Sequence, residues 1–282
     1  MMSHDEVMAT CMSGSYRWTA RDAQIYALGI GLPGFLDDSR ELAYVYERPQ
    51  LHSFPTFPVA VGFAHSALDR IGIDMSRILH GEQALTLHGS FPPDGKATGE
   101  SRIVGAWDKG PGKGAVFAQE TVLTLAGETS PVATVRTTTF ARGDGGYGGP
   151  REGQPPAHWI PERAPDRSIE IPTSPSQALL YRLSGDAHPL HADQAVAHEA
   201  GFSRPVLHGL CTYAICCRAV LAAYCDHSPG AIAYHAARFS APVFPGDTIS
   251  VDLWRDGATI SFEARVKARD AVVIRNGRTL LT

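Results

Sequence analysis

The stretch "VLHGLCTYAICCRAVLAAY", residues 206–224, decides how this chain is read. It predicts a helix from Val206 to Tyr224 that carries hardly a charge except Arg218. A helix that is apolar all round must be wrapped by other elements, because a surface helix keeps a polar face. Downstream, strands are expected at Ile232–Ser240, Thr248–Trp254, Thr259–Ala268 and Ala271–Arg275. Within them Ile249, Val251 and Leu253 alternate with Ser250, Asp252 and Trp254, the period of a strand with one buried face. One helix followed by a run of antiparallel strands is an α+β pattern.

Upstream the pattern repeats in weaker form. Strands are expected at Gln83–His88, Ser101–Asp108, Ala115–Leu125 and Val132–Ala141. "ARDAQIYALGIG" before them sits like "SPSQALLYRLSGD" before the second series. Between the halves, Gly and Pro supply eleven of the 27 residues from Ala141 to Arg167, the composition of a linker. The expected organisation is a first domain over 1–145, a linker over 146–167 and a second domain over 168–282. A strongly curved sheet around one buried helix is a hot-dog arrangement, and two in tandem make a double hot dog. In the first half, "FPTFPVAVGFAHSALDRIG" carries Pro55 and Pro58, so its central helix cannot be equally long and regular. A broken helix there predicts an apolar channel lined by Phe54, Phe57, Val59 and Phe63.

The chemistry concentrates in "LSGDAHPLHADQAV", residues 183–196. Asp186 and His191 stand five residues apart on a turn held by Gly185 and Pro189, after the strand-like run "ALLY" and before a helix-like segment, Asp193 to Ala200. A carboxylate and an imidazole on a short rigid turn can hold a water between them and add it to a polarised double bond.

"YRLSGDAHPLHADQAVAHEAGFSRPVLHGLCTYA" resembles the signature of the MaoC-like, (R)-specific 2-enoyl-CoA hydratases, or hydratase 2. "RDAQIYALGIG", "LHGEQAL", "FPPDGKATGESRIVGAWDKGPGKGAV", "TTTFARGDGGYGG" and "ARFSAPVFPGD" resemble further blocks of that family in the family's order. The resemblance implies a double hot-dog homodimer acting on acyl-CoA thioesters in fatty-acyl metabolism, with no metal or organic cofactor. It implies one working site per chain, since "YALGIGLPGFLDD" has no Asp and His at the positions of Asp186 and His191.

Hydration of an enoyl thioester needs a held and deprotonated water, a proton delivered to the α-carbon, and a stabilised thioester oxygen. The first two suit His191 with Asp186. The third suits the backbone amide of Gly209 at a helix N-terminus. The resemblance maps the same catalytic roles onto Asp186, His191 and Gly209. It also places His80, Gly81, Lys109, His188 and Phe239 against the acyl-CoA, with Arg238 and Lys113 as further basic candidates for the phosphates. One departure stands out: the family pattern D-x-N-P-L-H has His188 at its asparagine. A histidine there can donate one hydrogen bond and can titrate near neutrality.

Other readings are weaker. The spacing of His188, His191 and Asp193 matches no strong metal signature. Neither "GDGGYGG" nor "GPGKGA" is a nucleotide loop, and "DKGPGKG" reads as a basic hairpin turn. Cys211 lies near the site, but its apolar surroundings raise a thiol pKa and argue against a nucleophile. Four of the five cysteines fall in or at the end of one helical stretch, which points to free thiols in a reducing compartment. A net charge of −4 gives no reason to expect nucleic acid or an anionic membrane as partner. No apolar run approaches a membrane span, the first residues lack the order of a signal peptide, and "RTLLT" is not a peroxisomal address. The expected location is cytoplasmic, or peroxisomal in a eukaryotic source. A hot-dog thioesterase and a non-catalytic acyl-CoA-binding protein remain as competing functions.

Overall fold

The computed structural model describes residues 2–34, 38–64 and 66–282. Residues 35–37 of "YALGIGLPGFLDD" and residue 65 of the first-half helical region lie outside that description. The chain runs α1 (His4–Met8), β1 (Cys11–Trp18), α2 (Ala20–Gly29), α3 (Ser39–Leu42) and α4 (Phe57–Val61). Strands β2 (Ile78–Leu87), β3 (Gly95–Asp108), β4 (Ala115–Leu125) and β5 (Ala133–Ala141) complete the first half. After the Gly/Pro-rich crossing come β6 (Arg167–Pro172), α5 (Gln177–Tyr181), α6 (Gln194–Glu199) and α7 (Gly209–Tyr224). The last strands are β7 (Ile232–Phe239), β8 (Thr248–Asp256), β9 (Thr259–Val266) and β10 (Ala271–Leu281).

All ten strands form one antiparallel sheet in the order β1-β3-β4-β5-β2-β7-β10-β9-β8-β6. The second five repeat the topology of the first five, and the two sets join where β2 pairs β7, from Glu82↔Arg238 to Thr86↔Tyr234. This is the double hot-dog architecture. The strands β1 and β6, absent from the sequence reading, pair at the outer edges with β3 and β8. Only Tyr16 and Trp18 in β1 and Ile171 in β6 are buried, and the other residues are exposed or half-buried, so their apolar alternation is too brief to mark a strand.

Helix α7 lies against β2, β6, β7, β8, β9 and β10, and from Leu210 to Leu221 every side chain is buried. It starts at Gly209, three residues later than expected. Pro205 precedes the segment, Leu207 N–H bonds the Val243 carbonyl at 2.7 Å, and His208 is extended (φ −57°, ψ 134°). Arg218 is neutralised inside the fold. Its Nε and Nη2 meet Glu41 at 3.1 and 3.2 Å, and its Nη1 reaches the Gly31 carbonyl at 2.7 Å.

The corresponding helix of the first half, α4, is five residues long with Pro58 near its start. The expected open channel is not what its aromatic residues form. Phe57 packs on Tyr26 and Phe91, Phe54 packs on Tyr44, Val59 is buried with them, and Phe63 is exposed. Breaking the helix lets these side chains fold down into the core, which fills the space a longer helix would take.

The run "ALLY" is helix α5 and not a strand. Ala178 and Tyr181, three apart, face the core, while Leu179 between them is exposed, a helical spacing. The two look-alike segments, α2 and α5, pack on each other, with the rings of Tyr26 and Tyr181 5.8 Å apart.

Candidate active site

The turn carrying Asp186 and His191 runs from a 3-10 segment over Arg182–Ser184 to a second over Pro189–His191. Gly185 turns the chain at φ +121°, a conformation that only glycine adopts without strain. The Asp186 carboxylate accepts from the His188 amide at 3.1 Å, and His188 Nδ1 accepts from the Leu190 amide at 3.2 Å. His188 therefore does the local work an asparagine carbonyl would do, accepting the amide two residues on. From outside the turn, Arg182 donates to the Ala187 carbonyl at 3.3 Å and His208 Nε2 to the Asp186 carbonyl at 3.1 Å.

His191 Nδ1 lies 2.9 Å from the Val206 carbonyl. A carbonyl can only accept, so Nδ1 carries the proton and Nε2 has a free lone pair. That Nε2 faces Asp186 Oδ2 at 3.9 Å, too far for a direct hydrogen bond. A water at about 2.8 Å from each, the ordinary hydrogen-bond distance, fits beside the line joining them. Burial lowers the pKa of His191, and the neighbouring His188 adds to this, while the Val206 bond and Asp186 oppose it. The ring is thereby kept in its basic form.

His208, buried and absent from the sequence assignment, stacks on His191 and touches Tyr181 at 4.9 Å. Its Nδ1 has no partner among the described residues. Burial, reinforced by the charge His191 would carry, lowers its pKa. The His-Gly pair at 208–209 was visible in the sequence, yet nothing there showed that His208 turns back onto the dyad.

Gly209 opens α7, whose N-terminus has no side-chain cap. The first amides of a helix lack intrahelical acceptors and point outward with partial positive charge. A β-carbon at Gly209 would stand 3.2 Å from the Phe239 ring, so glycine is what lets a group approach this amide. Phe239 also meets His80, ring centroids 4.7 Å apart. His80 bonds Gln83 at 3.1 Å, and burial pushes its pKa down to about 4, opposed by the bond to Gln83 and weakly by the Asp186 charge. Gly81 occupies the register shift of β2 beside His80. The structure thus brings Asp186, His191, Gly209, His80, Gly81 and Phe239 to the end of the β2–β7 junction.

Lys109 lies in the β3–β4 hairpin turn, bonded to the Arg151 carbonyl at 2.7 Å and Gln154 at 3.2 Å. Lys113 lies in the same turn, its amide on the Gly110 carbonyl. Cys211 is fully buried, its Sγ 3.4 Å from the Gly29 carbonyl, and burial pushes its thiol pKa far up, which removes it as a nucleophile.

Of the residues weighed as metal ligands, Asp193 caps α6 by accepting from the amides of Ala195 and Val196. A different trio converges: Asp186, His191 and His208 each offer a donor atom within 4.8 Å of the others. In that trio His208 Nε2 is already committed to the Asp186 carbonyl, and the polar atoms left facing one another suit a water.

Two family models match the chain, the MaoC like domain over residues 157–276 and the MFE-2 hydratase 2 N-terminal domain over 16–143. Enoyl-CoA hydratase ChsH3 of Mycobacterium tuberculosis is 38% identical over 94% of this chain and 93% of its own length. The peroxisomal enoyl-CoA hydratase 2 of Arabidopsis thaliana is 37% identical over 92% and 89%. The crystal structure of a MaoC-like dehydratase from Phytophthora capsici superposes with a TM-score of 0.87 at 33% identity, covering 99% of this chain and 98% of that one.

Proposed function

Because the chain belongs to the MaoC-like hydratase 2 family, we propose that it reversibly adds water to trans-2-enoyl-CoA, giving the (R)-3-hydroxyacyl-CoA in fatty-acyl metabolism. The observation that carries this reading is the free Nε2 lone pair of His191 facing the Asp186 carboxylate across a gap fit for one water. His191 Nε2 takes a proton from that water while Asp186 orients it. The hydroxyl oxygen bonds the β-carbon, and the π electrons move onto the thioester oxygen. The Gly209 amide stabilises that oxygen. The proton held on Nε2 is then delivered to the α-carbon, which restores the carbonyl and the basic imidazole.

The reading extends to the two halves of the chain. We take 168–282 as the catalytic half, and 1–145 as the half that accommodates the acyl chain and coenzyme A through His80, Gly81 and Lys109. The reading includes a homodimer, a cytoplasmic location (peroxisomal in a eukaryotic source) and no metal or organic cofactor. Among the described residues no helix is long and apolar enough to cross a membrane. Light scattering tests the dimer, and full activity after dialysis against a chelator tests the metal-free chemistry.

Incubation with crotonyl-CoA tests the reaction. Loss of the enoyl absorbance without thiol release is the expected outcome. Release of free coenzyme A would mark a thioesterase, and no change would mark a binding protein. Coupling to an (S)-specific hydroxyacyl-CoA dehydrogenase should give no rapid NADH, since the family's face of water addition yields the (R) product.

A further inference from the structure

None of residues 182–191 belongs to the apolar clusters of the core. Gly185, Ala187, His188 and Pro189 are exposed, and a β-carbon on Gly185 would meet nothing within 4 Å. Side-chain packing therefore does little to fix the catalytic turn, and hydrogen bonds must do it. Two side chains take hold of consecutive carbonyls there. His208 Nε2 donates to the Asp186 carbonyl at 3.1 Å, and Arg182 Nη2 to the Ala187 carbonyl at 3.3 Å.

The second of these bonds reaches the catalytic carboxylate through a single peptide unit. The Ala187 carbonyl and the His188 N–H belong to the same planar amide. That N–H donates to Asp186 Oδ1 at 3.1 Å, which leaves Oδ2 to face His191 Nε2 at 3.9 Å. A donor on the oxygen of an amide fixes its plane and polarises the N–H at its other end, the more so when the donor is charged. Among the described residues the half-buried Arg182 makes no ion pair, and its Nε is buried without an acceptor. A cation held in that way is costly, and the bond it does make is to the turn peptide. Its charge also reaches the stacked rings: after burial and the charge His191 would carry, Arg182 adds to the lowering of the His208 pKa.

We propose that Arg182 is a positioning residue for the hydration step: it fixes the 187–188 peptide, so that the His188 amide keeps Asp186 Oδ1 and Oδ2 stays on the catalytic water. This role rests on the hydratase reading and adds a residue outside the trio of Asp186, His191 and Gly209. Arg182 touches neither the water nor the substrate; it acts through one amide. Without it the 187–188 peptide can rotate, because nothing packs on the outer side of the turn at Gly185. Rotation carries the His188 amide away from Oδ1 and frees the carboxylate to turn. A small misplacement of a reacting group is costly in rate and leaves substrate binding intact, so the loss falls on kcat and not on KM.

The test is Arg182→Met, which keeps an unbranched side chain and removes the charge and the donors. On crotonyl-CoA its kcat should fall about ten- to a hundredfold with KM unchanged. Hydrogen exchange gives a readout that does not depend on turnover. Peptides spanning 183–193 should exchange about fivefold faster than in wild type, the equivalent of one lost hydrogen bond, while exchange in α7 stays as it was. An unchanged kcat overturns the proposal. So does a loss carried by KM alone, which would make Arg182 a substrate contact. Faster exchange throughout α7 also overturns it, since Arg182 would then serve stability only. If Arg182→Met does not fold, Arg182→Gln, which keeps a shorter neutral donor, carries both measurements. Should wild type hydrate no enoyl thioester, the hydratase reading fails. Exchange over 183–193 then still decides the brace: equal rates in wild type and variant overturn it.

Discussion

The imidazoles of His208 and His191 lie stacked, their centroids 3.6 Å apart and their planes within 23° of parallel. Two protonated rings at that distance repel strongly, so the pair accepts at most one proton near neutrality. His208 also holds the Asp186 carbonyl, so one buried ring braces the base and the carboxylate together. This contact links the turn at 185–191 to the first residue before α7, twenty-two residues downstream of Asp186.

The braced pair predicts a pH profile. His191 works as a base only when neutral, and its pKa is lowered from the ordinary 6.5, first by burial. Activity should therefore hold below pH 6.5 and fall as pH drops through the depressed value. The groups facing the rings are Asp186, His188, Tyr181 and Arg182. His208→Asn removes the stacked ring and admits water, so the acid limb of kcat/KM should move up towards 6.5. An unmoved limb in a folded variant would show that the stack does not set the titration of His191.

Asp186→Asn and His191→Ala should each lower kcat by about a thousandfold, the scale of a lost general acid-base group. Both lie on a half-buried turn outside the main core, so folding should persist, as circular dichroism can verify. Near-normal turnover in either variant would remove it from the mechanism.

At Gly209 the expected effect is steric. A methyl group there would stand 3.2 Å from the Phe239 ring, so the ring or the helix start must give by a few tenths of an ångström. Gly209→Ala should reduce kcat by about ten- to a hundredfold, because small misplacements of a reacting group cost on that scale. The melting temperature should change little, since alanine favours helix more than glycine does. A large loss of stability at full specific activity would instead assign Gly209 to packing.

Arg218 and Glu41 form a buried pair that ties α7 to the first half of the chain. Glu41→Leu and Arg218→Met should each destabilise the fold by about 3–5 kcal/mol, because each alone leaves one buried charge without its partner. Arg218→Met with Glu41→Leu should cost much less, since neither charge is then left alone. Urea unfolding of the two singles and the double measures the coupling, and additive losses would mean that the pair does not act as a unit.

Local chain properties determined much of this protein. The uncharged, almost wholly apolar run at 210–217 and the alternation at 249–254 are one-dimensional signals, and each became the element it implied: the wrapped helix α7 and strand β8. The turn at 185–191 was legible for the same reason, as glycine permits the positive φ of the turn and proline fixes its own φ without outside help. Tertiary structure decided what depends on distant partners. Edge strands β1 and β6 exist because β3 and β8 offer them free hydrogen-bonding edges, and the brief alternation of Tyr16 with Trp18 and of Ile169 with Ile171 does not reveal those partners. The aromatic side chains at 54 and 57 fill the core because Tyr44, Tyr26 and Phe91 come to meet them. "ALLY" is a helix because α2 packs on it. His208 joined the site only when the chain carried residue 208 back over residue 191, a contact whose free energy depends on burial and distance in space.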